Sequence, residues 1–261
     1  MHDSVGVLIL LVMFNRAELL RRVPMLEGKF HYAQVLESSN DTAAALIRSG
    51  SGSGTLVLAE EQTKGRGRGG NQWSCPSGQG LLFSLVLEPD LDRSRWSRLA
   101  LAAGVALAEV LDKSGLSAEM KWPNDIWLNG KKCAGVLVEG CEDFVIIGMG
   151  VNVSVLEFPA ALNATSLLKE SGEQIEREAL LADLVQAIIA WGSRCDADFS
   201  AVVDAVNLRC AMRGEMIQLQ QNGVLRSGMM AGVSEDGYLM LENDGKIEMI
   251  AQADAIRLLK S

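Results

Sequence analysis

The order of apolar and polar positions along the chain indicates a mixture of strands and helices. Short apolar runs bounded by turn residues predict buried strands, which are TLVLAEEQ (55–62), GLLFSLVLEP (80–89) and FVIIGMGVNVS (144–154). Apolar residues at helical spacing predict one helix from an N-cap at Ser94 to a stop at Gly115, and a second over 177–194. Asn129-Gly130 lies between two apolar runs and predicts a hairpin.

The pattern changes near residue 212. From Arg213 to Leu259, three turn dipeptides separate short strand-like segments; they are Asn222-Gly223, Asp236-Gly237 and Asp244-Gly245. Turns at such regular spacing predict a small antiparallel barrel of about fifty residues. We therefore predict an N-terminal helical extension (1–30), a main α+β domain (31–211) and a C-terminal barrel (212–261).

The N-terminus carries an apolar run from Val5 to Phe14. Its length is too short to span a bilayer as a helix, and it lacks the flanks of a signal peptide. We expect a buried or partner-facing helix that continues through AELLRRV. A misassigned start codon and a weak membrane association are the alternatives.

Composition narrows the classes of function. The 261 residues are 48% hydrophobic and carry a net charge of −9, which argues against general attraction to nucleic acid. Five cysteines without CxxC spacing are typical of reduced cytosolic thiols. Both histidines, His2 and His31, lie near the N-terminus, so we expect neither a histidine metal site nor a catalytic triad.

KGRGRGGNQW (64–73) concentrates two arginines and four glycines between two predicted strands. Glycines let backbone N–H groups approach a ligand, and the arginine fork fits carboxylate or phosphate. We favour a loop that binds an anion; a solvated loop and a nucleic-acid contact remain alternatives. The second unusual stretch is KWPND, in which Lys121 should end a strand because Pro123 favours an extended Trp122.

EEQTKGRGRGGNQW, KWPNDIWLNGKKCAGVLVE and GMGVNVS resemble the core motifs of the biotin protein ligases, and ESSN (37–40) is similar to that family's Ser-Thr-Asn stretch. The resemblance implies an α+β fold. Its mixed-sheet catalytic domain would be similar to class II aminoacyl-tRNA synthetases and would precede an SH3-like barrel. It implies activation of biotin with ATP to biotinyl-AMP and transfer to a lysine of a biotin carboxyl carrier protein.

The resemblance also implies site residues. The biotin contacts would be Ser38, Ser39, Asn40, Gln62, Arg66, Gly67, Arg68, Leu82, Lys121 and Gly135. The nucleotide contacts would be Gly65, Arg68, Trp73 and Asn152. Arg68 and Lys121 would be catalytic, because they offset the repulsion between the biotin carboxylate and ATP. Two positions depart from the family: serine replaces threonine at Ser39, and AQADAIRLL lacks the usual glycine-containing pattern at the end of the barrel.

Biotin and ATP are the implied substrates, and Mg²⁺ is expected with the ATP phosphates. The implied acceptor belongs to acetyl-CoA carboxylase or a related carboxylase. The cysteine pattern leads us to expect a cytoplasmic protein. We also expect it to bind no DNA, because too few residues precede ESSN for a winged helix. A lipoate or octanoyl transferase and a non-catalytic binding module are the rival functions. The sequence leaves open whether the chain forms a homodimer.

Overall fold

The computed structural model describes residues 13–221 and 223–259. Most of the apolar N-terminal run, and Asn222 of the first predicted C-terminal turn, lie outside this part. The helices are α1 (Arg16–Arg22), α2 (Ser39–Arg48), α3 (Arg98–Asp112), α4 (Leu167–Ser171), α5 (Arg177–Ala197) and α6 (Phe199–Leu208). The strands are β1 (Phe30–Leu36), β2 (Leu56–Gln62), β3 (Gly80–Leu87), β4 (Glu119–Lys121), β5 (Asp125–Leu128), β6 (Lys131–Cys141), β7 (Phe144–Asn152), β8 (Met216–Gln221), β9 (Val224–Val233), β10 (Leu239–Asn243), β11 (Lys246–Ile250) and β12 (Ala255–Leu258).

A mixed seven-stranded sheet forms the centre of the described chain, in the order β1-β2-β3-β7-β6-β5-β4. The edge strand β1 runs parallel to its neighbour β2. All the remaining neighbouring pairs of this sheet are antiparallel. The predicted strands at 55–62, 80–89 and 144–154 correspond to β2, β3 and β7 and are confirmed to within a few residues. The mixed α+β class is confirmed as well.

Both faces of the sheet are covered, which explains why β3 is a continuous apolar run. Leu81, Phe83 and Leu85 belong to the main core, with α3 and α5. The alternate residues face the other way: Val86 packs beneath α2, and Ser84 bonds the start of that helix. The cavity described below opens on this second face.

The Asn129-Gly130 hairpin is confirmed, with positive φ at both residues joining β5 to β6. The predicted helix start at Ser94 is wrong, because Ser94 lies in a single 3₁₀ turn and α3 begins at Arg98. The predicted helix over AELLRRV is present as α1, but residues 13–15 before it are not helical. Asn15 is extended and its side chain accepts a bond from the Glu18 N–H, so α1 starts after it.

The C-terminal strands form a second, antiparallel sheet in the order β11-β10-β9-β8-β12, with β11 and β12 at its edges. Asp244-Gly245 makes the predicted turn between β10 and β11. The strand β12 was not predicted. Two contacts hold the turn between β9 and β10. Trp122, between β4 and β5, donates from Nε1 to the Gly237 carbonyl at 2.9 Å, and Arg98 on α3 pairs with Asp236 at 2.9 Å.

Within residues 13–221 and 223–259, the helices lack the combination of length and apolar character that crossing a bilayer requires.

Candidate functional site

A cavity of about 330 Å³ lies between the second face of the large sheet, the loop 63–73 and the C-terminal sheet. This volume is sufficient for a small organic ligand. Ten of the predicted site residues line it; they are Ser38, Ser39, Asn40, Gln62, Arg66, Gly67, Arg68, Trp73, Lys121 and Gly135. Residues from four separated stretches of sequence therefore meet at one place.

The buried polar end of the cavity is built by the first turn of α2. Ser38 is the N-cap residue and is extended, and Ser39 and Asn40 follow it with only about 4% of each residue exposed. Ser84 on β3 donates to Asn40 Oδ1 at 2.5 Å, and its Oγ lies 2.7 Å from Ser39 Oγ, within hydrogen-bond distance. These bonds hold hydroxyl and amide groups in fixed orientations, as recognition of a polar ring requires.

Gln62 ends β2 beside this turn, and its Oε1 accepts a bond from the Ser39 backbone N–H at 2.6 Å. The side chain is thereby anchored by its oxygen, which leaves its amide nitrogen available at the cavity wall. Ser84 and its bonds to the first turn of α2 were missed in the sequence. An isolated serine within an apolar strand was the available signal.

The loop 63–73 folds back on itself as a narrow turn. Gly67 donates to the Asn71 carbonyl at 2.7 Å, and the Trp73 N–H donates to the Gly65 carbonyl at 2.9 Å. Gly69 and Gly70 have φ values of 63° and 79°, a region in which glycine is favoured. This turn places Arg66 on one side of the loop and Arg68 over the cavity.

Trp73 lies flat against the large sheet because glycines make room for it. A methyl group added to Gly150 would lie 2.3 Å from Trp73 Cε2, and one added to Gly135 would lie 3.3 Å from Trp73 Cζ3. The ammonium of Lys132 lies 5.4 Å from the centre of the indole. The indole N–H is buried and makes no hydrogen bond in the described structure.

Arg68 and Lys121 bring positive charge to the cavity. Burial lowers the pKa of the Arg68 guanidinium, although Asp125 and Asp254 nearby act in the opposite direction. Burial also lowers the pKa of Lys121, and the neighbouring charge of Lys132 lowers it further. Both cations are therefore held where an anionic ligand would stabilise them.

Lys132 is a cavity residue that the sequence reasoning did not single out. Its ammonium lies 2.6 Å from Asp125 Oδ1, and both side chains line the cavity. The lysine-bearing hairpin after KWPND was the signal, but a register shift between Ile126 and Trp127 decides which lysine faces inward. Such a bulge leaves no mark in the sequence.

Arg66 lines the cavity but is already bound by two carboxylates. Its terminal nitrogens lie 2.6 and 2.8 Å from the Asp41 carboxylate oxygens, and Nη2 lies 3.1 Å from Glu139 Oε2. The hydrogen bonds with Asp41 raise the pKa of Arg66 and lower the pKa of Asp41. Arg66 is thus a paired cation, whereas Arg68 and Lys121 form no ion pair within the part of the chain that the structure describes.

Three predicted site residues do not line the cavity. Leu82 is buried on the same face of β3 as Ser84 and packs with Cys75 and Val155, against Trp73. The Gly65 carbonyl accepts the loop hydrogen bond from Trp73 described above. Asn152 ends β7 and donates to the Thr165 carbonyl at 3.0 Å. Their positions support the walls of the site.

The start of β12 and the turn between β11 and β12 close one side of the cavity, through residues 252–256. Asp254 is the charged member of this group. Sequence reasoning missed this contribution, because no local pattern links the end of the chain to the loop 63–73. Among the described residues, no group of three or more His, Cys, Asp or Glu side chains is placed to hold a metal ion.

Comparison with known proteins agrees with this geometry. Residues 32–152 match the biotin/lipoate A/B protein ligase family. The chain is 35% identical over 243 residues to the bifunctional ligase/repressor BirA of Bacillus subtilis, which covers 85% of this chain and 72% of that protein. It is 32% identical over 233 residues to the biotin–[acetyl-CoA-carboxylase] ligase of Paracoccus denitrificans, covering 84% of this chain and 96% of the relative.

Among solved structures, the chain resembles the biotin protein ligase from Aquifex aeolicus in complex with biotin and ATP. The TM-score is 0.80 at 26% identity, and the match covers 88% of this chain and 99% of that one.

Proposed function

Because the chain belongs to the biotin/lipoate A/B protein ligase family, we propose that it is a biotin protein ligase that activates biotin with ATP. The observation that carries this proposal is the single cavity shared by ESSN, the glycine-arginine loop and KWPND. It combines buried polar groups with two cations, Arg68 and Lys121, that form no ion pair with another described residue, as a ligand with a polar ring and an anionic end requires.

In the first step, a biotin carboxylate oxygen bonds to the α-phosphorus of ATP, and the bond from that phosphorus to the pyrophosphate oxygen breaks. Two anions must meet: like unit charges ~4 Å apart repel by about 4 kcal/mol at an effective dielectric of ~20. Arg68 bridges the phosphate and the carboxylate, and Lys121 holds the carboxylate oxygen or the developing charge. Lys132 adds a third positive charge on the cavity wall.

In the second step, a neutral lysine amine of the acceptor attacks the activated carbonyl. The bond from carbonyl carbon to phosphate oxygen breaks, AMP leaves, and the amide nitrogen loses its proton to water. The acceptor is a biotin carboxyl carrier protein, which agrees with the name of the Paracoccus relative.

The biotin end of the cavity is the first turn of α2. Ser38, Ser39, Asn40 and Gln62 bind the ureido ring, and Gly67 and Gly135 let the ligand approach the backbone. Trp73 packs against the nucleotide, and Leu82 supports the indole from below. Gly65 and Asn152 shape the nucleotide half through the hydrogen bonds of the loop and of the end of β7.

Mg²⁺ would be held by the ATP phosphates and water rather than by a cluster of protein carboxylates, and it would neutralise part of the phosphate charge. Residues 31–211 form the catalytic domain, and 212–261 form a domain of the SH3 type whose end borders the nucleotide. Residues 1–30 are an extension to the catalytic domain. The expectation that the chain binds no DNA stays a prediction, which a gel shift with operator DNA, biotin and ATP tests.

Pyrophosphate exchange tests the proposed reaction directly. We expect the purified chain to incorporate labelled pyrophosphate into ATP when biotin is present, and to do so far less with lipoate or octanoate. Exchange that depends on lipoate or octanoate and ignores biotin would contradict the proposal. Exchange with none of the three acids would support the alternative of a non-catalytic binding module.

A further inference from the structure

A cluster of charged side chains joins the glycine-arginine loop to the body of the protein. We propose that Asp41, Arg66 and Glu139 form a latch that holds the loop 63–73 closed over the cavity. Arg66 is then a positioning residue, whose guanidinium acts on the loop, whereas Arg68 and Lys121 act on the ligand. Only the catalytic consequence of the latch rests on the proposed ligase function.

The latch connects three separate pieces of the fold. Arg66 belongs to the loop, Asp41 to the first turn of α2 and Glu139 to β6. Both oxygens of Asp41 accept from Arg66, which is the bidentate arrangement that gives the strongest pairs of this type. Asn40 Nδ2 donates to Glu139 Oε2 at 2.6 Å, so the latch also touches the polar end of the cavity.

The charge environment of Arg66 differs from that of the proposed ligand-binding cations. Two carboxylates surround one guanidinium, so the latch carries a net charge of about −1 when all three groups are ionised. An ATP phosphate or a biotin carboxylate gains little from such a neighbour. Among the described residues, by contrast, no carboxylate forms an ion pair with Arg68, which leaves that guanidinium for an anionic ligand.

The exposure of the latch suits a contact that opens and closes. The side chains of Arg66, Asp41 and Glu139 are 39%, 55% and 36% exposed. Water and salt reach such groups, so the pairs weaken as ionic strength rises. The loop also carries a second, more exposed ion pair, Lys64 with Glu37, in which both side chains are 68% exposed. This pair supplies a matched control.

Trypsin cleavage of the free protein measures loop opening without any ligand. Lys64, Arg66 and Arg68 supply cleavage sites in the loop, and exposed Arg95 supplies an internal standard outside it. We expect Asp41→Asn to raise the rate of loop cleavage by about threefold or more, because it removes the negative charge and one acceptor oxygen. Glu37→Gln should match the wild type.

The salt dependence of loop cleavage is a second test of the same ion pairs. Raising NaCl from about 0.05 M to about 0.5 M should speed loop cleavage in the wild type and in Glu37→Gln. The double variant Asp41→Asn/Glu139→Gln should lose most of this salt dependence, because the screened charges are gone. Equal cleavage rates and equal salt responses in the wild type and the double variant would overturn the latch.

The ligase reaction then tests what the latch does. In the absence of acceptor, enzyme with biotin and ATP should release the activated intermediate at least about threefold faster from Asp41→Asn than from the wild type. If the wild type forms no intermediate, the proposed function is refuted. The latch itself would still be tested by the trypsin cleavage rates. A wild type and Asp41→Asn that hold the intermediate equally long would refute the role of the latch.

Discussion

Gly150 is required without a side chain because Trp73 fills the space above it. The residue lies in β7, opposite Leu82 on β3 and Gly135 on β6, so the indole packs against three strands at once. A Cβ atom 2.3 Å from Cε2 of the indole would force the ring away from the sheet.

We therefore expect Gly150→Ala to raise the KM for ATP by about tenfold to a hundredfold in the exchange reaction, because Trp73 no longer packs where the nucleotide binds. The affinity for biotin should change little. Gly52→Ala, at a site with no atoms within 4 Å of the added methyl group, is the control. An unchanged KM for ATP in Gly150→Ala would exclude Trp73 from nucleotide binding.

Lys121 makes the reaction sensitive to alkaline pH. Its burial lowers the pKa below the usual 10.5, so the cation is present at neutral pH and is lost as pH rises through the lowered value. The exchange rate should therefore fall at a pH below 10.5. In Lys121→Arg, which stays protonated, the remaining activity should persist to higher pH. The same alkaline limb in both proteins would assign the titration to another group.

Among individual residues, those that belong to a motif could be predicted from the sequence, whereas those that act through packing could not. Arg68 and Lys121 were predicted to face the ligand, and both line the cavity. Lys132 and Ser84 were missed, because a bulge between β5 and β6 and hydrogen bonds between β3 and the first turn of α2 decide their roles. The biotin contact of Arg66 stays a prediction, whereas its pairing with Asp41 and Glu139, 25 and 73 positions away, was not foreseen from the motif.

Among the elements, α5 is fastened to the large sheet by a buried ion pair. Arg177 at the start of α5 donates to Glu60 on β2 at 2.5 Å and to the Gly80 carbonyl at 3.3 Å. Tyr32 on β1 donates to the same carboxylate at 2.9 Å. Burial, followed by the hydrogen bond to Glu60, raises the pKa of Tyr32 to about 12.

Arg177→Met should lower the free energy of unfolding by about 3–5 kcal/mol, because it leaves the Glu60 carboxylate buried without its charged partner. Urea unfolding measures this change. Arg93→Met, which removes the exposed pair with Asp143, should unfold close to the wild-type midpoint. A loss below about 1 kcal/mol in Arg177→Met would show that the buried pair contributes little.

Helices and strands were predicted correctly where apolar residues recur at a regular spacing or a turn dipeptide marks the end of a strand. α5 is a long helix found within a few residues of its predicted start and end, and the Asn129-Gly130 hairpin is where its dipeptide places it. The start of α3 was wrong because a serine in a 3₁₀ turn has the same local signal as an N-cap. The helix α2 was not predicted, although Ala43 and Ile47 lie one turn apart on its buried face. The strand β12 has four residues and only Ile256 is buried, so it shows no alternating pattern.

On the scale of the whole molecule, the sequence predicted two regions of different pattern, and the structure has two sheets. The cavity between them was beyond reach of sequence alone, since residues 252–256 and the loop 63–73 meet only through the packing of one sheet on the other. That packing depends on particular contacts, such as Trp122 with the Gly237 carbonyl. A barrel was expected from the turns, and the observed strand order leaves two edges.

The proposed reaction depends on positive side chains on the loop and at the end of β4, which allow two anionic reactants to meet. Biotin-dependent ATP–pyrophosphate exchange by Arg68→Ala and Lys121→Ala measures it most directly. Each variant should retain the fold and lose well over tenfold of the exchange rate, of the order of ~10²-fold for a lost electrostatic contact in the transition state. Exchange at the wild-type rate in both variants would contradict the claim.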